Sequence, residues 1–141
     1  MSAADELACQ RLVADSAAHN DAREWADLAA LYTDDAVLTR PNGDQVVGRP
    51  AIEASYAAGS PDRRTRHVVS NFRFDSDHDS SARGHSSVIV YAWDATSEPD
   101  PRFGHPLDPR IVVGDFFDEF VRTAAGWRIA ARRATLSAHS A

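Results

Sequence analysis

A single cysteine, Cys9, among 141 residues leaves no partner for an internal disulfide and no thiolate set for a multi-cysteine metal site. It reads as a small buried apolar residue. Lysine is absent altogether, since all 15 basic side chains are arginine. Schiff-base catalysis and a lysine-anchored pyridoxal cofactor are thereby excluded. No apolar run approaches the roughly 20 residues of a membrane-spanning helix, and the start, MSAADELACQ, lacks the basic and apolar regions of a secretion signal. Neither a membrane nor export is expected, and cytoplasmic residence is the default. With a net charge of −6 and its arginines scattered, the chain also lacks the basic footprint of a nucleic-acid binder.

Signature motifs are equally scarce. There is no G-x-G-x-x-G, P-loop or G-x-S-x-G, so nucleotide cofactors and serine-hydrolase chemistry are not expected. The 6 histidines form no H-x-H or H-x-x-E-H group, and Asp77-His78-Asp79 lies in a plain polar turn, so no metal is expected. No cofactor of any kind is implied.

What is present describes one soluble globular domain over 1–141, because the 43% hydrophobic and 26% charged contents match ordinary globular chains. From Asp5 to Ala18, apolar Leu7, Ala8, Leu12, Val13 and Ala17 recur at helical spacing. A second short helix carries Trp25, Leu28, Ala29, Leu31 and Tyr32, with Asp21 placed as its N-cap and Glu24 three residues on. Ala36–Thr39 and Gln45–Val47 flank the turn Pro41-Asn42-Gly43-Asp44 as a short hairpin, and Pro50 opens a third helix, Ala51–Ala58.

Beyond Gly59 the period changes. Arg66–Phe74, Ala82–Trp93, Ile111–Val121 and Trp127–Leu136 read as strands, with short polar turns joining the first pair and the last pair as antiparallel neighbours. Asp94–Pro109 holds 4 prolines and is too long for a hairpin, so it is expected to cover the pocket or a partner subunit. Helices first and strands after argue for α+β, with the helices on one sheet face.

Several phrases in this order resemble SnoaL-like domains of the NTF2-like superfamily. Asp21-Ala22-Arg23-Glu24-Trp25 is similar to the family's D-x-x-x-W, and Leu31–Val37 to its passage into the first strand. Gly48-Arg49-Pro50-Ala51-Ile52 resembles G-R-x-A-I, His67–Asn71 resembles H-x-x-x-N, and Gly126-Trp127-Arg128-Ile129 resembles the closing G-W-R-I. The resemblance implies a cystatin-like cone: three N-terminal helices on a curved, mostly antiparallel sheet around an apolar pocket, with dimerisation through the sheet.

In the scytalone dehydratase-like and polyketide cyclase-like branch, an Asp before the second helix pairs with a His on the first long strand. Asp21 and His67 stand at those positions. The resemblance thus implies a cofactor-independent lyase or isomerase in which His67 takes a proton from a small aromatic or polycyclic substrate and Asp21 orients the ring. Tyr91 falls where that branch places another polar catalytic group. Candidate substrate contacts are Arg40, Trp25, His85, Asn71 and Phe116. Arg40 and Asn20 replace tyrosines of the dehydratase, so the substrate differs. His85 and Tyr91 share one face of their strand by alternation, as do Phe116, Asp118 and Phe120 of the next; His67, Val69 and Asn71 share a face opposite Phe72 and Phe74, unless a bulge shifts the phase. Two alternatives stay open: a non-catalytic ligand-binding or accessory subunit in which Asp21 only caps, and epoxide hydrolysis, for which Asp118 must point inward.

Overall fold

Ser2 opens the first helix. Its hydroxyl accepts from the Asp5 N–H and the Asp5 carboxylate answers Ser2, closing a capping box on α1 (Ala3–Asp21). The computed structural model describes all of residues 1–141. Cys9, Leu12, Val13, Ser16 and Ala17 form the buried stripe of α1. The helix runs past Ala18 to Asp21, and the chain turns through Arg23 at φ 60° into α2 (Trp25–Ala30). Glu24 is the N-cap of α2 and makes no side-chain capping bond. The expectation that Asp21 caps the second helix is therefore corrected: Asp21 is the last residue of α1, and its carboxylate is free for other donors.

The hairpin β1 (Tyr32–Thr39) and β2 (Gln45–Val47) turns at Gly43, where φ is 90°, and Pro50 lies in the first turn of α3 (Arg49–Ala57). Four long strands follow: β3 (Arg63–His78), β4 (Ser81–Asp94), β5 (Val112–Thr123) and β6 (Gly126–His139). They are longer than the alternation predicted. The sheet order is β2-β1-β6-β5-β4-β3, and every pairing is antiparallel except β1 with β6. Helix α1 packs on β3 and β6, while α3 packs on α2 and β1. No helix is long and apolar enough to cross a membrane.

Register assigns the faces, because directly opposed residues share a side. His67 opposes Val90, Ser86 opposes Phe116, and Asp118 opposes Arg132, which puts all of them on the helix-covered face. Bulges between Ser70 and Arg73, Val113 and Gly114, and Glu119 and Phe120 bend the sheet toward the helices. The first of these matters most. Asn71 takes φ 55° there, and the slip in phase brings Phe72 and Phe74 to the same side as His67 and Val69 to pack against the core, where unbroken alternation had separated them.

Tyr32, Phe120, Leu28, Ile52 and Ile129 are the largest fully buried side chains of that core. Concave curvature leaves little room. A Cβ on Gly84 would lie 2.7 Å from the Phe74 ring, and one on Gly114 would lie 2.2 Å from the Thr135 carbonyl oxygen. Cys9 is fully buried, and burial pushes its thiol up to about 12, so it stays protonated. The loop 95–111 is tied to the start of β3 and the end of β6 through Ala95 to Asp62 and Ile111 to Ser140.

Asp5 also locks α1 to the sheet. Its carboxylate accepts from Trp127 Nε1 at 3.0 Å and Arg122 at 2.7 Å, and Arg122 lies 4.7 Å over the Trp127 ring. The bonds from Ser2, then Trp127 and Arg122, hold this carboxyl well below the usual carboxylate range.

Two expectations follow. Gly114→Ala forces β5 from β6 and should cost about 1–3 kcal/mol in urea unfolding, the range for overpacking; an unchanged midpoint would show that the close approach relaxes freely. For Asp5, a folded-state pKa below the unfolded value means its contribution is complete above about pH 4 and fades as pH falls further. The stability gap between wild type and Asp5→Asn, followed by denaturation across pH, should be constant above that point and close below it.

Candidate active site

The end of α1 meets the start of β3. Asp21 Oδ1 lies 2.6 Å from His67 Nδ1 and accepts from the Thr65 hydroxyl at 2.9 Å, while Oδ2 accepts from the His67 backbone N–H at 2.9 Å. Both side chains are largely shielded, at 14% exposure for His67 and 13% for Asp21. Backbone and side chain of one residue thus grip the same carboxylate. With Nδ1–H directed at Asp21, the other ring nitrogen, Nε2, has no protein partner.

His67 lines a cavity of about 380 Å³ between the helices and the sheet. Its walls are Leu28, Leu38, Val88, Val90, Phe116, Ala134 and Leu136, and its polar groups come from Ser16, Asn20, Arg40, Ser55, Tyr56, Arg132 and Thr135. Of the predicted residues, His67, Arg40 and Phe116 line this space, and Asp21 stands directly behind His67.

Four predicted residues lie elsewhere. Tyr91 opposes Arg66 on the outer face, because Val88 and Val90 take the inward phase of β4. His85 is also outside, 2.8 Å from Asp115 and stacked on Phe117 at 4.7 Å between ring centroids. Asn71 sits at the exposed bulge and donates to the Ser87 hydroxyl. Trp25 backs the cavity without entering it, stacked on Tyr56 at 6.1 Å. The strand phase was misleading because inward positions of β4 carry small or medium residues (Ala82, Gly84, Ser86, Val88, Val90, Ala92), while bulkier Ile89 and Tyr91 point out. Of the two roles expected for Asp94–Pro109, covering the pocket is corrected, since no residue of that loop lines the cavity.

The alternation did not single out Arg132. It is 4% exposed and forms a two-pronged pair with Asp118, Nε to Oδ1 at 2.7 Å and Nη2 to Oδ2 at 2.9 Å. Nη1 donates to Ser16 Oγ at 3.0 Å, and the guanidinium stands 4.0 Å over the Phe116 ring. Burial works against its charge, but Asp118 and the neighbouring tyrosines outweigh that and raise it above its ordinary value. Asp118 does point inward, with both carboxylate oxygens occupied by Arg132. In sequence the signal was Asp118 in phase with Phe116 and Phe120, a charge among aromatics that needed a partner.

Beside these groups, Tyr32 is completely buried, and burial raises its phenol well above the ordinary value. Tyr56 and Arg132, which both line the cavity, are its next influences. For a metal, His19, Glu24 and Asp27 gather ligand atoms within 4.8 Å, but at the exposed α1–α2 junction and outside the cavity.

Three helices on a curved, bulged sheet, with an Asp–His pair beside a largely apolar cavity, define the class as an α+β cone of cystatin-like fold. The chain belongs to the SnoaL-like domain family, whose sequence profile matches residues 1–133. No protein of curated function matches. Among solved structures, a scytalone dehydratase candidate from Novosphingobium aromaticivorans superposes with a TM-score of 0.78 at 24% identity, covering 94% of this chain and 84% of that one. A type 2 hexachlorocyclohexane dehydrochlorinase gives 0.81 at 18% identity, with 97% and 88% covered. A Nostoc punctiforme protein of unknown function with a cystatin-like fold gives 0.74 at 16% identity, with 97% and 94% covered.

The buried pair makes a sharp stability test. Asp118→Ala strands the Arg132 charge and should cost about 3–5 kcal/mol by chemical denaturation. Asp75→Ala, which breaks an exposed pair with Arg83, should cost under about 1 kcal/mol. Equal costs would mean that Arg132 finds water or another acceptor.

Proposed function

We propose that this chain is a cofactor-independent lyase or isomerase that takes a proton from carbon in a small aromatic or polycyclic substrate. The observation that carries this reading is the His67 ring held at Nδ1 by a carboxylate 2.6 Å away, with Nε2 unpartnered at an apolar cavity. In the first step the C–H bond breaks, its proton goes to Nε2, and its electron pair moves onto the adjacent carbonyl or expels a leaving group. Asp21 stabilises the resulting imidazolium and fixes the tautomer that began the step. Arg132 spends three N–H contacts on Asp118 and Ser16, which leaves others for charge developing in the cavity. The proton on His67 then returns, either to another carbon in an isomerisation or to a departing oxygen in a dehydration.

Two fold relatives support this class, since their names denote loss of water and of hydrogen chloride. Tyr56 takes the role first given to Tyr91, because its side chain lines the cavity. Epoxide hydrolysis is the weaker reading. It needs a carboxylate to activate water, and both oxygens of Asp118 are engaged by Arg132.

Deuterium uptake at the acidic C–H of 2-tetralone, a bicyclic aromatic ketone, reads proton abstraction without knowledge of the natural substrate. Wild type in D2O should accelerate exchange above buffer, and His67→Ala should lower that rate by about 10²–10⁴, the usual contribution of one general base. Asp21→Asn should fall between them. Exchange at full rate in His67→Ala would remove the base assignment.

A further inference from the structure

The charges around the cavity do not balance. Arg132 is matched by Asp118, and Asp21 is matched by the hydrogen bonds of His67 and Thr65. Arg40 is matched by nothing. It is half-buried, lines the cavity, and has neither a carboxylate within salt-bridge reach nor any side-chain hydrogen bond. Its backbone, by contrast, is fixed: its N–H donates to Asp44 and its carbonyl accepts from Gly43, each at 2.8 Å, so the turn after β1 sets where the side chain starts. In a chain of net charge −6 this is an uncompensated cation lining a cavity whose other polar groups are neutral or already paired. Desolvating such a group is unfavourable until an anion meets it, and guanidinium meets carboxylate best through paired N–H bonds.

Its position adds a second constraint. Arg40 follows β1 and His67 lies on β3, and the sheet order places β6, β5 and β4 between them. A molecule touching both must span the cavity, with its anionic group at one end and its acidic C–H at the other. The space between is walled by Leu38, Val88, Val90 and Phe116.

We propose that the substrate is a carboxylate-bearing aromatic or polycyclic molecule, anchored by Arg40 through a carboxylate remote from the carbon that His67 deprotonates. This rests on the cavity being the substrate site. Arg40 is a specificity-determining residue in this scheme and takes no part in proton transfer.

The test uses 2-naphthoate and its neutral isostere 2-naphthamide, with affinities measured by calorimetry on the full chain. Wild type should prefer the carboxylate by roughly 10- to 100-fold, as a charge-assisted hydrogen bond allows, and salt should erode the preference. Arg40→Gln should abolish the preference, weakening naphthoate far more than naphthamide, Arg40→Lys should restore part of it, and His67→Gln should retain it. Wild type that binds both compounds equally, or Arg40→Gln that keeps the preference, overturns the anchor and leaves the proton-transfer reading intact. Wild type that binds neither compound overturns the cavity as the substrate site, and the anchor with it.

Discussion

The cavity depends on a charge pair placed where an apolar core would be expected. Arg132 and Asp118 face each other across β6 and β5, nearly without exposure, and Ser16 of α1 completes the set. Three elements that converge on the cavity are thus tied by directional bonds rather than by apolar contact alone. A buried pair is weak evidence for stability, because desolvation offsets much of the attraction. Its effect here is positional. A two-pronged guanidinium–carboxylate contact has one good geometry, which fixes the register of β5 against β6 and the depth at which α1 sits.

Curvature supplies the rest of the space. Bulges let six strands bend around the helices, and the price falls on the concave face, where Gly84 and Gly114 are the only residues their neighbours admit without displacement. The convex face carries bulk as well, with Phe117 stacked on His85 and under Arg133, and with Val68 and Val113 exposed. The usual rule that large apolar side chains mark the inside is locally inverted on β4.

That inversion explains what the sequence revealed and what it hid. The element order, the hairpin at Gly43, the break at Gly48-Arg49-Pro50 and the four long strands were legible because caps, prolines and turn residues act locally. The pairing of Asp21 with His67 was reachable only through family resemblance, since it joins residues 46 apart in sequence. Tyr91 and His85 were misplaced because alternation gives two faces without saying which is concave. Asn71 was lost to a one-residue bulge. Arg132 escaped because Arg132-Arg133 puts one arginine on each face, and which of them meets Asp118 is decided by register, a long-range property.

Helix α1 finally connects the two chemical poles. Ser16 holds Arg132 and Asp21 holds His67, and the five helical steps from one holder to the other span roughly 7.5 Å along the axis. Their side chains leave the helix in different directions, one toward β6 and one toward β3. A rigid rod therefore sets the spacing between the proton acceptor and the buried cation, where a loop would let both drift. Because the helix is capped at Ser2 and pinned to Trp127 and Arg122 through Asp5, a shift at its far end would carry both holders together against the sheet. Proton transfer is sensitive to misplacement on the scale of 1 Å, so the capping box belongs to the same construction as the dyad.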